Sequence, residues 1–271
     1  MMRHEVIFLI NNEPINFTGK SGIHALDYEL NDVNTTNDDI EMFGMDGVSP
    51  RSKNFGPFDF KLKFYFDGRY DKHLALREIR SLVHRREYYY VTHSFMPGMK
   101  FAVNRAAIEV EELSGTDFLF YITFTCFKGC AESLLSTLSD FTVTEKSWQF
   151  GQNLVSNNYQ YKHTRNKFPI YNAGDLTVNP RQHYLSVTVK CESEGNLQIA
   201  NLTTGDTFIY NQPITLADTL TIENAIPKMN GVACGRDTNH RLLSLKSGEN
   251  LISIEGASSL NTEWDFYYLY K

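Results

Sequence analysis

Cysteine is scarce in this chain. Its 271 residues hold four, Cys126, Cys130, Cys191 and Cys234, too few to staple a protein of this length as a disulfide scaffold. A reduced, cytoplasmic origin is expected from that scarcity. Long apolar runs are also missing: near the N-terminus only Val6 to Ile10 is continuously apolar, far short of a signal-peptide core or the roughly 20 residues of a bilayer span. A soluble chain without an export signal of its own is expected, and the sequons at Asn16, Asn34 and Asn201 are then silent. Positive charge has no excess, with 26 Lys and Arg against 32 Asp and Glu for a net charge of -6. That balance disfavours a positive stripe for wrapping duplex DNA. The first 141 residues carry 15 basic and 20 acidic groups and the remainder 11 and 12, so the acidic field belongs to the N-terminal half.

What the chain has in quantity is aromatic: 19 Phe and 15 Tyr. With few helix-length apolar repeats, that abundance points to sheets, where rings fit a pleated, half-buried surface. Phe58, Phe60, Leu62, Phe64 and Phe66 alternate with Asp59, Lys61, Lys63 and Tyr65, the period of a strand with one buried face. Further strands are expected at Val6 to Ile10, Glu87 to Val91, Met99 to Val103, Ala107 to Leu113 and Asp117 to Cys126. The Asn11-Asn12, Pro97-Gly98 and Ser114-Gly115 turns separate them. One helix is expected, capped by Asp71, with Leu74, Leu76, Ile79, Leu82 and Val83 as its apolar stripe. Arg80, His84, Arg85 and Arg86 at its end complement the helix dipole. Residues 34 to 57 read as a long polar loop, with Phe43 and Phe55 as its aromatics and Gly44, Gly47 and Pro50 as turn formers.

From Glu132 to Lys167 the pattern weakens, with Trp148 and Phe150 as isolated anchors, and a domain boundary is placed at 141/142. The second part shows short strands about ten residues apart, the cadence of a β-sandwich. They are Tyr184 to Lys190, Asn196 to Asn201, Thr207 to Tyr210, Thr219 to Ile222, Leu242 to Leu245, Leu251 to Ile254, and Trp264 to Tyr270. Gly195, Gly205, Asn230-Gly231 and Gly248 mark the turns. Neither internal repeats nor low-complexity tracts are evident.

Chemistry-bearing motifs are thin. Gly19-Lys20-Ser21 imitates the end of a phosphate loop, yet Pro14 stands where the first glycine belongs and a polar turn is the simpler reading. Cys126 and Cys130 lack a second close ligand pair for zinc and read as buried thiols. Glu109 and Glu111, with Glu112 beside them, could be imagined as a glycosidase pair, but a solvated strand face explains them. No nucleophile elbow or placed Cys-His pair occurs. Catalytic, cofactor and metal sites are therefore not expected. Trp264, Phe266 and Tyr268 alternate as core, which leaves Tyr267 and Tyr270 as a candidate carbohydrate or partner surface.

Phe43-Gly44-Met45-Asp46-Gly47, the Phe58 to Phe66 strand, the Arg77 to Val83 helix and the Phe118 to Cys126 strand follow one another in an order that resembles the distal tail protein family of siphophages and prophages of Gram-positive bacteria. Phe168-Pro169-Ile170-Tyr171-Asn172-Ala173-Gly174-Asp175, Asn196 to Ile199, Thr203 to Asp206, Asp218 to Ile222 and Leu245 to Asn250 continue the likeness. The resemblance implies a mainly β chain. Residues 1–141 would form a tail-tube-like β-sandwich with one packed α-helix, and residues 142–271 a linker and a galectin-like β-sandwich. It also implies a structural hub without enzyme activity or cofactor: a homohexameric ring, assembled in the host cytoplasm, at the virion tail tip. The ring would join the tail tube protein to the tail-tip protein, support receptor-binding proteins, and let DNA pass without specific binding. No room is left for a long receptor-binding arm insertion in the second domain. Phe43, Gly44, Asp46, Gly47 and Phe55 are the candidate ring-interface loop, because a closed ring needs heterologous contacts. The alternative is a module that recognises host cell-wall polysaccharide through the second sandwich, and after it a wall-degrading enzyme using Glu109 or Glu111.

Overall fold

The computed structural model describes residues 4–11, 13–20, 22–36, 39–44, 46–49, 54–139, 148–149, 151–154 and 159–271. Asn12, Ser21, Met45, Pro50, Phe150 and the expected boundary at 141/142 lie outside them. The chain divides into two compact units, residues 1–132 with Lys271 and residues 133–270.

The first unit begins with the hairpin of β1 (Val6–Ile10) and β2 (Glu13–Asn16), turned at Asn11, whose φ is 52°. Next come β3 (Ile23–Leu30), two short ladders formed by β4 (Thr35–Thr36), β5 (Ile40–Glu41), β6 (Val48–Ser49) and β7 (Asn54–Phe55), and then β8 (Phe58–Phe66). Helix α1 (Lys72–Val83), β9 (Tyr89–His93), β10 (Met99–Ser114) and β11 (Asp117–Cys126) complete the unit. The strands run in the spatial order β2-β1-β9-β10-β11-β8-β3. An antiparallel bridge from His4, just before β1, to Ala25 of β3 brings the far strand back to the start. The expected sandwich is thus built here from one sheet folded over itself.

Period-2 alternation explains the core. Phe58, Phe60, Leu62, Phe64 and Phe66 of β8 are all buried, and so are Phe118, Phe120, Ile122, Phe124 and Cys126 of β11 opposite them. Phe64 and Phe120 stack at 5.0 Å and Phe60 and Phe124 at 5.2 Å, an offset pairing that adds to plain area burial.

Helix α1 starts where expected. The Asp71 carboxylate accepts from the backbone N–H groups of His73 and Leu74, both at 3.0 Å, satisfying two donors that the first turn leaves open. Its buried face is Ala75, Ile79 and Val83. The expected stripe included Leu74, which is exposed; the buried line runs i, i+4, i+8 through Ala75 instead. Strand β10 corrects a second expectation. Met99 to Val103 and Ala107 to Leu113 are one strand, and a bulge between Val103 and Arg105 absorbs the polar Asn104 that reads as a break.

After β12 (Ala131–Ser133), the second unit contains β13 (Lys162–His163), β14 (Lys167–Asn172), β15 (Leu185–Glu192), β16 (Leu197–Asn201), β17 (Asp206–Tyr210) and β18 (Leu220–Glu223). Its remaining strands are β19 (Ile226–Met229), β20 (Val232–Ala233), β21 (Gly248–Glu255), β22 (Ser258–Phe266) and β23 (Leu269–Tyr270). Two sheets, β13-β22-β15-β18-β19-β20 and β14-β21-β16-β17, form the expected sandwich. Gly195, Gly205, Asn230, Gly231 and Gly248 all have positive φ, as turn residues should. Leu242 to Leu245 is not a strand. Only Leu245 bridges, to Val178, while Asp206 accepts from both the backbone N–H and the hydroxyl of Ser244, so side-chain bonds replace the ladder there.

Candidate functional site

The segment between β3 and β8 was expected as a polar loop and is instead a two-stranded arm. Thr35 and Thr36 of β4 pair with Phe55 and Asn54 of β7, and farther out Ile40 and Glu41 of β5 pair with Ser49 and Val48 of β6. Short alternating polar and apolar residues give no clear period, which is why the ladders escape a reading of the sequence. At the tip, Gly44 and Gly47 have φ of 83° and 84°, and an added Cβ would meet nothing at either. Glycine is used there for backbone conformation, not for space.

The arm is anchored at its base. A Cβ on Gly129 would lie 2.6 Å from the Phe55 carbonyl oxygen, so the turn after β11 packs directly against β7. That turn is pinned by buried Glu132, whose carboxylate accepts from Lys128 at 2.6 Å, while Lys128 also donates to the Tyr90 hydroxyl at 2.8 Å. Lys271 places its ammonium 4.8 Å from the Phe55 ring centroid, a cation–π contact on the half-exposed ring.

Toward the tip the side chains face solvent. Phe43 is fully exposed, and Ile40, Met42, Val48 and Phe55 are exposed as well. Asp46 and Glu41 are exposed beside them. Sequence reading singled out Phe43 and Phe55 and missed the exposed Ile40, Met42 and Val48. An isolated two-stranded hairpin is marginal in water, and contiguous exposed apolar groups mark interaction sites.

The other candidates resolve differently. Tyr267 is half-buried, its ring 5.5 Å from Tyr184. Tyr270 is a correction: it is buried, and its hydroxyl donates to the Gln152 carbonyl at 3.0 Å, so β23 turns it into the core and it offers no stacking face. Trp264, Phe266 and Tyr268 are buried as expected. Gly19 and Lys20 sit in a turn in which Gly19 N–H donates to the Asn16 side chain at 2.7 Å, and a strand follows rather than a helix. Burial pushes the Cys126 and Cys130 thiols up to about 11 and about 12, which makes them poor thiolate donors. Glu109 and Glu112 are exposed and paired with Lys61 at 3.2 Å and Lys72 at 2.8 Å. The Lys72 hydrogen bond holds the Glu112 carboxyl below the usual range, the opposite of what a general acid needs. Asn201, one of the three sequons, is buried.

Residues 18–126, nearly all of the first unit, match the family of the phage tail protein RIFT-related domain. That part of the chain is thus similar to a phage tail domain. Over its whole length it also takes the fold of the Dit protein (gp 19.1) of phage SPP1: the two chains superpose with a TM-score of 0.70 over 98% of this chain and 99% of that one, at 10% sequence identity. The SPP1 protein is described as a paradigm of the hub adsorption apparatus in phages infecting Gram-positive bacteria. The phage P2 baseplate in its activated conformation aligns over 99% of this chain and 98% of that one with calcium, at 9% identity and a TM-score of 0.45. With strontium it aligns over 97% of each, at 9% identity and a TM-score of 0.44. No curated protein matches the sequence. The likeness to the SPP1 Dit protein thus holds for the fold from end to end, and the arm lies within the matched residues 18–126.

Proposed function

We propose that this protein is the hub of a phage tail tip, six copies of which close into a ring joining the tail tube protein to the tail-tip protein. The end-to-end correspondence with the SPP1 Dit fold carries the proposal, and the tail domain in residues 18–126 supports it. Residues 1–141 form the ring, and residues 142–271, as a galectin-like sandwich, support the adsorption device, including receptor-binding proteins. The protein works by shape and surface, without catalysis. DNA passes through the ring unbound, as the acidic balance of the first 141 residues favours. Assembly takes place in the host cytoplasm.

In this reading the arm, with Phe43, Gly44, Asp46, Gly47 and Phe55, reaches onto the neighbouring copy. The receiving surface we assign is a groove of about 1030 Å³ on the same unit, lined among others by His4, Lys20, His24, Leu26 and Arg69. Lys20 in this groove suits the acidic Glu41 and Asp46 flanking the apolar tip, and Leu26 is exposed within it.

Native mass spectrometry and negative-stain imaging of the purified chain, alone and with the tube and tip proteins, test this. Six-fold rings are expected in at least one mixture, and a monomer in every mixture overturns the hub. Replacing residues 40–48 with a short turn should abolish the ring; an intact ring would remove the arm's role. Tight DNA binding by the ring at low salt would contradict the passive channel.

A further inference from the structure

The second unit carries a groove that neither the hub function nor the arm uses. It measures about 540 Å³ and lies along the edge strands β13 and β14. One wall is a rigid pair of rings: Tyr159 and Tyr171 stack at 4.2 Å with their planes 5° apart, and both are half-buried. The Tyr171 backbone is held from below, where its carbonyl accepts from the Tyr161 hydroxyl at 2.8 Å. His163, also lining the groove, stacks on buried Phe168 at 4.0 Å and 10°. The Gln160 carbonyl, 2.8 Å from His163 Nε2, can only accept and so fixes the ring proton on that atom, leaving Nδ1 as an acceptor.

Cations line the same groove. Lys162, Arg165 and Lys167 line the groove against a single carboxylate, Glu249. Lys162 is engaged with Glu263 at 3.0 Å, whereas Arg165 and Lys167 are exposed and have no acidic partner among the described residues. Flat, pre-ordered tyrosine faces suit the C–H face of a sugar ring. A guanidinium fork and an ammonium suit a phosphate or carboxylate. A neutral sugar would leave the cations unused, and a bare anion would leave the rings unused.

We infer that this groove binds an anionic sugar unit, a ring bearing phosphate or carboxylate, with an outer face of the Tyr159–Tyr171 pair stacking on the sugar ring and Arg165 and Lys167 holding the charge. The site lies wholly within the second unit and does not depend on ring formation. It differs from the Tyr267 and Tyr270 surface, half of which is core.

Amide chemical shifts of the full-length protein, titrated separately with glucose 6-phosphate, glucuronate, glucose, inorganic phosphate and a tetraglutamate peptide, test the assignment. Glucose 6-phosphate or glucuronate should shift residues 159–171, with a dissociation constant about tenfold or more below those of glucose and inorganic phosphate. The contrast between the two acids separates a phosphoglycan from a uronic-acid glycan. The Arg165→Gln/Lys167→Gln variant should lose about tenfold in affinity for the acid sugar and leave glucose unchanged, while Tyr159→Ala should weaken both sugars. Unperturbed shifts elsewhere verify that each variant is folded. Absence of shifts at 159–171, equal affinity for inorganic phosphate (an adventitious ion only), or preference for the acidic peptide (a protein partner) would overturn the proposal.

Discussion

The two units solve the same packing problem with different materials. The first packs phenylalanine against phenylalanine: Phe8, Phe17, Phe60, Phe64, Phe66, Phe101, Phe118, Phe120 and Phe124 are all fully buried. The second also buries Trp264 and Phe208, but it fixes its corners with asparagine. Asn250 accepts from the Lys246 N–H at 2.9 Å and the Asn201 amide at 3.0 Å, and donates to the Lys246 carbonyl at 2.7 Å. Asn201 also donates to the Ser244 carbonyl at 2.7 Å, and Asn172 to the carbonyls of Leu176 and Leu245 at 2.9 and 3.1 Å. Long strands of regular alternation need only apolar side chains. Short strands joined by irregular turns bury backbone groups that no ladder reaches, and side-chain amides must satisfy them.

The sharpest way to break this comparison is at the Phe core. Phe124→Ala should destabilise the first unit by about 3 to 5 kcal/mol, read by hydrogen exchange at its amides. Both tryptophans, Trp148 and Trp264, lie in the second unit, so their fluorescence melt should be unmoved if the units unfold independently. An equal shift in that melt would show a single cooperative transition.

Acid should act next, and in the first unit it acts through His93. His93 is buried among Tyr28, Phe60, Phe95 and Phe101, neither ring nitrogen has a hydrogen-bond partner among the described residues, and burial pushes its pKa down to about 4. A base whose folded pKa is depressed stabilises fully above its unfolded value near 6.5, and that stability drains away as pH falls from there toward about 4. The expected loss is about 3 kcal/mol, visible as an acid-side fall in the unit's melting temperature. His93→Phe should flatten that fall; an unchanged slope would assign it to other groups.

Asn250→Ala tests the other half of the contrast. It strands the Lys246 N–H and the Asn201 amide in the interior and should cost about 2 kcal/mol, read directly by the tryptophan melt. If the variant is neutral, the asparagine bracket is ornament. Smallest of all, Phe43→Ser should change stability by no more than about 0.5 kcal/mol, because its ring touches nothing in the monomer, and yet weaken ring assembly. A large stability loss would mean that the tip packs within its own chain.

Legibility follows the same division. The β8 and β11 strands, the Asp71 cap and the turns at Gly205 and Asn230-Gly231 could be read because each depends on neighbours a few residues away. The unity of β10 could not: Asn104 and Arg105 look like a break until a partner strand supplies the bulge. The stretch from 159 to 171 read partly as linker, since Tyr159 and His163 gain meaning only from Tyr171 and Phe168 on the next strand. Tyr270 was misplaced because the alternation through Trp264, Phe266 and Tyr268 does not continue past the turn into β23.

By itself the sequence determined the β character of the chain, the aromatic face of its first unit, its acidic balance and the collinear order of turns shared with distal tail proteins. These are properties of periodicity and composition, carried by local backbone preference and hydrophobic burial. Only the tertiary structure decided that a polar loop is an arm with an exposed apolar tip, that Tyr270 is core, and that Tyr159, Tyr171, Arg165 and Lys167 share one groove. Such arrangements depend on which distant strands pair, and pairing energy is spread over whole sheets rather than written in any one segment.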